Sequence, residues 1–472
     1  YTKYTFFHLK NILSQPLRLA FGYCAHFNMR STQTHAILGV GVTIGLALPP
    51  FVRFLSRKLR AKSSSDDDDG NEQQKNKQND TNAVRSGLLD NDSGNKSTIR
   101  IPRGQLEEFL SKILVQAGAS PSHANLVASV LTYADSRGIP SHGSNRADLY
   151  ANELSAGVVN GKATPVIEQQ SGCCAVVNGK NGLGAVTSDL AMNTAISLAK
   201  EHGVGFVVCH MSNHYGAAGY WAQRALDAGL IGMSFTNTSP IVVPTGGKAR
   251  AVGTNPFCFF APAVRGNCND REKSSERESF QLDMATSVVP IGKVEVMHRL
   301  GKACPEGWGV DREGVGSTDA EEICRRGGLY PLGGAEETAG YKGYGLAMFV
   351  EILCSVLSGA AIGPSVQPWL ASREGHIDYG HCFIVIDPAR FTSGFDERLS
   401  SYMKAMRSLP GNVNIPGDPE RAFEIDAYKN GVILHNPVAA TLKNLAKRYE
   451  VEIPLAFENI DVSISKKSLY AR

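Results

Sequence analysis

Between Cys174 and Asn237 the chain alternates short apolar runs with runs of helical period. "CAVVNG" reads as a strand, and Ala191, Ala195, Leu198 and Ala199 mark one face of a helix that stops at Gly203. "VGFVVCH" is a second strand, Ala217 to Ala228 a second helix, and "LIGMSFTN" a third strand. A β-α-β-α-β rhythm commits this stretch to a sheet with helices packed on it, an α/β architecture. The apolar runs "NPFCFFAP", "SFQLDM" and "HCFIVID" add further strands, and the polar stretch between Ala263 and Ser279 reads as a surface loop. No internal repeat is evident.

Upstream, order is expected to begin near Ile101, where Leu106, Phe109, Leu110, Ile113 and Leu114 fall on one helical face ending at Gly118. A second helix follows from about Pro121 to Ser136, and a third starts near Ser144 after the interruption "GIPSHGSNR". Residues 61–99 are almost all polar and contain no aromatic side chain, so they cannot bury enough surface to offset chain entropy and read as a disordered tether. Before them, Ser31 to Val52 carries no Asp, Glu, Lys or Arg, close to the ~20 residues a spanning helix needs. Arg53, Arg57, Lys58, Arg60 and Lys62 follow, which places that flank in the cytoplasm. The expectation is a single membrane anchor over about 36–55 with a cytoplasmic catalytic part. The rivals are a cleaved targeting peptide and an over-extended translation with Met29 as the start.

Lys and Arg number 48 against 45 Asp and Glu, and a net charge of +3 over 472 residues gives no case for nucleic-acid binding. Ten scattered cysteines suit a reducing compartment, and none has the C-x-x-C spacing that would suggest a structural zinc site or redox pair. No Cys/His/Asp group has metal spacing. "NGKNGLGAV" sits between a strand and a helix, but its glycines run G-x-x-G-x-G and the next strand ends in histidine where a Rossmann site wants an acid. There is no G-x-x-x-x-G-K-[ST] and no G-x-S-x-G, so nucleotide hydrolysis and serine-hydrolase chemistry lack support.

Ligands collect at the carboxyl ends of strands in open α/β sheets. His214 stands at such an end in "CHMSNHYGAAGYW", with Ser212 and Asn213 as the turn that aims it; so do Asn237 and Thr238, and Asp283 to Ala285. For each alone, capping or a structural ion pair is the competing reading. In "SHGSNR", His142 and Arg146 are four residues apart at a helix mouth and share a face. An arginine there holds a carboxylate through two parallel hydrogen bonds, and a histidine orients it or exchanges a proton. "GYKGYG" presents Lys342 between glycines before a helix expected over Leu346 to Leu357, suited to a phosphate or carboxamide contact. A histidine acid–base, an arginine anion anchor and a glycine-lined surface fit proton-coupled hydride transfer.

Ten motifs in order, "RGIPSHGSNR", "NGLGAV", "SNHYGAAGYW", "GLIGMSFTNTSPIVVPTGG", "GTNPFCFFAP", "LDMATSVVPIGKV", "PEGWGVD", "YPLGG", "YKGYGLAMFVEIL" and "IPGDPE", resemble the malate/L-lactate dehydrogenase family. That family also holds ureidoglycolate and sulfolactate dehydrogenases and cyclic-imine carboxylate reductases. The resemblance runs from about Ile101 to Pro454. It implies a three-layer sandwich with a mixed sheet, a non-Rossmann way of binding NAD or NADP, and a homodimer with the site near the subunit interface. After the N-terminal segment 1–60 and the linker 61–99, which composition alone sets apart and to which the resemblance does not extend, it divides the chain into a helical part 100–160, an NAD(P)-binding core 161–390, and a C-terminal helical part 391–472 that rejoins the first.

By the same resemblance His214 is the proton acceptor, and His142 and Arg146 bind substrate. Thr238, Asp283, Met284, Ala285, Lys342, Pro416 and Gly417 contact the cofactor. In the imine-reducing branch His142 and Asp283 have their own claim as a proton relay. Ser144 stands where the family pattern has a hydrophobic residue, which bears on substrate identity. The reading is an NAD(P)-dependent dehydrogenase of a small 2-hydroxy acid such as malate or lactate. The alternatives are reduction of a cyclic imine carboxylate, and a catalytically inactive membrane-tethered binding protein.

Overall fold

The computed structural model describes residues 98–263, 278–299, 301–367 and 376–464. The expected anchor over 36–55, the tether up to residue 97 and most of the loop after Ala263 lie outside these residues. Among the described residues no helix is long and apolar enough to cross a membrane.

The first described element is β1 (Thr98–Ile101), which ends at the Ile101 near which order is expected to begin. Its backbone pairs antiparallel with β12 (Val432–His435), a partner too far along the chain for local pattern to reveal. Helix α1 (Arg103–Gln116) buries Leu106, Phe109, Leu110, Ile113 and Leu114, the face set by i, i+3, i+4 spacing. Next come α2 (Pro121–Ser136), with proline in its first turn, a 3-10 turn over Ser144–Arg146, and α3 (Ala147–Ser155).

The main sheet is built from β2 (Val166–Ser171), β3 (Cys174–Asn178), β4 (Val204–Ser212), β5 (Ile231–Thr236), β6 (Phe257–Pro262), β7 (Ser279–Met284) and β11 (Tyr379–Ile386). Helix α4 (Gly184–His202) crosses from β3 to β4 and ends on Gly203, whose φ of 89° suits a left-handed cap. Helix α5 (Ala218–Asp227) crosses from β4 to β5. Strand order is β2-β3-β4-β11-β5-β6-β7, with β3 and β4 parallel and every other neighbour antiparallel. The β-α-β-α-β stretch is therefore real, but β11 separates β4 from β5. Residues Tyr379 to Phe383 are buried without interruption, as a central strand covered on both faces requires.

Beyond β7 lie α6 (Ile291–Arg299), a small sheet of β8 (Gly309–Val310), β9 (Gly316–Ser317) and β10 (Gly328–Leu329), and α7 (Ala320–Arg325). Helix α8 (Gly340–Glu351) runs on as a π-helical turn to Val356. After β11 come α9 (Phe395–Arg407), α10 (Asp418–Asn430) and α11 (Asn436–Arg448).

Side chains alternate along the strands and so define two covered faces. Val207, Cys209, Phe260, Phe383 and Val385 join the large core with α2, α4 and α5, while Phe206, Val208, Phe235, Cys382 and Ile384 pack with Val350 and Cys354 of α8 and its π turn. The result is an α/β fold of three layers around a mixed sheet.

Candidate active site

Strand register brings the polar strand ends to one end of the sheet. Asn178 is opposite His210, Ser212 opposite Tyr379, His381 opposite Thr236, Phe235 opposite Phe257, and Phe257 opposite Met284. The segments after β4 and β5, which carry His214 and Thr238, and the last residues of β7 with Ala285 after them therefore all lie at that end.

His214 and His142 are half-buried and stack with ring centroids 5.7 Å apart and planes 17° from parallel. Burial pushes the His142 imidazole down to about 3, with Arg146 adding to the effect. Burial, then His142, Arg146 and His381, push His214 well below its ordinary value. Both rings are thus neutral at physiological pH. Arg146 Nε donates to the Ser141 carbonyl at 2.6 Å, which orients the guanidinium beside the rings, and Ser141 Oγ lies 2.9 Å from His142 Nδ1.

What aims His214 is a set of close backbone approaches. Asn213 Nδ2 donates to the Gly182 carbonyl at 2.8 Å. Gly184, at the start of α4, abuts the same loop: a Cβ there would stand 2.0 Å from the Asn213 carbonyl oxygen and 2.5 Å from that of His214. The glycines of "NGLGAV" thus let a helix start press against the histidine loop. From below, His381 ties two strand ends together, with Nδ1 2.8 Å from Thr236 Oγ1 and Nε2 2.7 Å from Ser212 Oγ. Burial holds its imidazole down to about 3.

A second row of contacts links the residues expected to meet the cofactor. Thr238 Oγ1 accepts from Thr254 N–H at 3.1 Å, Thr254 O from Thr286 N–H at 2.9 Å, and Thr286 O from Leu332 N–H at 2.8 Å. Gly343 packs on Leu332 so closely that a Cβ would lie 2.4 Å from the Leu332 nitrogen. Lys342 is exposed beside it. Helix α8 already begins at Gly340, so Lys342 lies in its first turn and not before a helix at Leu346. Gly340 and Gly343, which argued locally against helix, stand where neighbouring backbone leaves no room for a Cβ. Asp283 accepts from Gly219 N–H, at the start of α5, at 2.9 Å, and its burial raises the carboxyl to about 6. Met284 and Ala285 are half-buried beside it.

The structure brings His142, Arg146 and His214 into one cluster; Thr238 is joined through Thr254, Thr286 and Leu332 to the helix start that carries Lys342, and Asp283–Ala285 lead directly into Thr286. The charged groups acting on Asp283 are Arg137 and Glu420, not the histidine pair. Pro416 and Gly417 lie along the outer side of β7: Pro416 O accepts from Gln281 N–H at 2.9 Å, and a Cβ on Gly417 would meet Gln281 Cβ at 2.7 Å.

Sequence reasoning missed four residues here. Tyr150 Oη is 2.5 Å from His214 Nδ1, and its signal was present, since Tyr150 continues the four-residue spacing of His142 and Arg146. Asp135 lies under the His142 loop, where Ser144 N–H and Oγ–H both donate to its Oδ2, at 2.7 and 2.5 Å. A buried carboxyl that needs donors accounts for serine where the family pattern has a hydrophobic residue. Glu351 accepts from Asn255 Nδ2 at 3.0 Å and Asn237 Nδ2 at 3.4 Å, clamping α8 to the ends of β5 and β6. His381 is the fourth.

An open mixed sheet with a neutral imidazole, an arginine and a lysine-bearing helix start at one end of its strands defines an α/β enzyme with a strand-end site. Comparison with known proteins gives the family. Residues 101–443 match the model of the malate/L-lactate dehydrogenase family, and the chain belongs to it. It is 39% identical over 362 residues to a malate dehydrogenase of Pyrococcus horikoshii, covering 75% of this chain and 96% of that one. It is 33% identical over 368 residues to the NAD(+) ureidoglycolate dehydrogenase of Escherichia coli, covering 76% of this chain and all (100%) of that one. The solved Δ1-piperideine-2-carboxylate reductase of Pseudomonas syringae superposes with a TM-score of 0.65 at 29% identity, covering 74% of this chain and 99% of that one.

Proposed function

We propose that this chain is a dehydrogenase that uses NAD or NADP to interconvert a small 2-hydroxy acid of the malate or lactate type with its 2-oxo acid. The observation that carries the reading is the cluster itself: a neutral, half-buried His214 beside His142 and Arg146. Arg146 holds the substrate carboxylate with its planar fork, and His142 lines the same pocket. His214 then exchanges a proton with the oxygen on the neighbouring carbon.

The adjoining row fits a nicotinamide dinucleotide. Lys342 supplies a cation at a helix start for the anionic diphosphate, and Gly345, on the same helical face, has nothing within 4 Å of where a Cβ would stand. Thr238 and Asp283–Ala285 offer hydroxyl, carboxyl and backbone groups beside it, with Pro416 and Gly417 flanking β7. When bound, the nicotinamide supplies or accepts the hydride. The chain's part is to hold the acid, exclude water and manage one proton.

The outer surface of α8 and its π turn supports a homodimer. Met348, Phe349, Ile352 and Val356 are 44%, 42%, 49% and 54% exposed, an apolar face next to the lysine-bearing helix start. Reduction of a cyclic imine carboxylate is the second reading, favoured by the structural likeness to the piperideine carboxylate reductase and by an arginine that serves either carboxylate.

The test is a panel of oxaloacetate, pyruvate and Δ1-piperideine-2-carboxylate with NADH and with NADPH, alongside light scattering of the same preparation. The expectation is oxidation of reduced cofactor by a 2-oxo acid and twice the chain mass. Turnover of the imine alone would replace the first reading with the second.

A further inference from the structure

Two donors converge on one nitrogen of His214. Gly216 N–H points at Nδ1 from 3.3 Å, and a backbone amide can only donate. Nδ1 must therefore be an acceptor, and the Tyr150 hydroxyl, 2.5 Å from the same atom, must donate to it as well. A neutral imidazole with an accepting Nδ1 carries its single proton on Nε2. Tyr150 is itself 5% exposed, on the turn of α3 that follows Arg146.

We propose that Tyr150 is a positioning residue that holds His214 in the Nε2–H tautomer and passes its own hydroxyl proton into the ring as that Nε2 proton leaves. The relay step rests on the dehydrogenase reading above, whereas the tautomer is a property of the free protein. In the reductive direction the carbonyl carbon gains the hydride that the nicotinamide supplies, and the electron pair of the C=O bond moves to oxygen. That oxygen takes the proton from Nε2, the pair freed there shifts through the ring, and Nδ1 takes the proton from Tyr150 Oη. A phenolate is left, which solvent reprotonates. Burial, then Glu153 and Tyr379, raise this phenol and so keep the phenolate short-lived, while Arg146 and Gly216 N–H act in its favour. Unlike the Gly216 amide, the Tyr150 hydroxyl can also accept, so it can follow the ring through both tautomers and serve the oxidative direction in reverse.

The test uses the whole enzyme, labelled with 15N in histidine, with the His214 resonances assigned by their loss in His214→Gln. At neutral pH Nδ1 is expected to be pyridine-type and Nε2 pyrrole-type. In Tyr150→Phe, which keeps the ring volume, the Nδ1 resonance is expected to move toward that of a pyridine-type nitrogen lacking a strong donor. A pyrrole-type Nδ1 in the wild-type enzyme, or a resonance unmoved in Tyr150→Phe, overturns the proposal. Single-turnover reduction of oxaloacetate by NADH in mixtures of light and heavy water reads the relay. A curved dependence on deuterium fraction is expected in the wild type. In Tyr150→Phe a straight one is expected, with a rate at least about tenfold lower. A straight wild-type dependence overturns the relay. Failure to reduce oxaloacetate at all counts against the substrate reading, and leaves the wild-type spectrum to decide the tautomer.

Discussion

Beneath the loop that carries His142, Asp135 takes both of its donors from Ser144, and burial raises its carboxyl from the ordinary 3.8 to about 7. The unfolded chain thus loses this proton well before the folded one does. The stabilisation is complete below about pH 4, declines as pH rises, and is gone above about pH 7. Asp283, raised to about 6, acts in the same direction, so a single variant is compared with the wild type to isolate Asp135. Asp135→Asn keeps an acceptor for Ser144 and cannot ionise. Its stability relative to wild type, from urea unfolding at a series of pH values, is expected to rise between about pH 4 and 7. Parallel curves would assign the pH dependence elsewhere. None of this was visible in the sequence, because a carboxyl and a serine nine positions apart carry no sign that a loop folds one over the other.

At the scale of elements, local pattern read well wherever burial repeats within a helix or strand. The five apolar positions from Leu106 to Leu114, and the runs that became β3, β4, β5, β6, β7 and β11, were all legible. Two things were not. "HCFIVID" reads as a strand, but its place between β4 and β5 is a pairing over long sequence separation that no window contains. The glycines of "NGLGAV" and "YKGYG" read as a failed nucleotide fingerprint and as a helix lead-in, because a glycine's letter does not say which backbone comes close. Gly184 tests this. In Gly184→Ala the new Cβ must displace the Asn213 and His214 carbonyls, so a stability loss of about 1–3 kcal/mol is expected, together with lower turnover. An alanine variant with wild-type melting and turnover would show that this approach does not aim His214.

At the scale of the molecule, the seven-stranded sheet brings several of its polar strand ends to one end, where the proposed proton site and the proposed cofactor row lie. Most of this site was legible because strand ends, unlike strand order, can be read from the letters alone: His214, Thr238 and Asp283 each follow or close an apolar run. Tyr150 and His381 were missed because one hides on a helix and the other inside a strand, with ordinary core neighbours. Holding the chain around the site are contacts between distant segments, such as β1 on β12 and the buried Arg137–Glu424 pair at 2.6 Å, which joins α2 to α10. Breaking such a pair costs about 3–5 kcal/mol, since it leaves one charge buried without its partner.

The central claim is that His214 moves the substrate proton while the adjoining row holds the cofactor without it. Turnover and calorimetric cofactor affinity of His214→Ala, measured on one preparation, test this most directly. Turnover is expected to fall by about two to four orders of magnitude with cofactor affinity unchanged. Near wild-type turnover would contradict the claim.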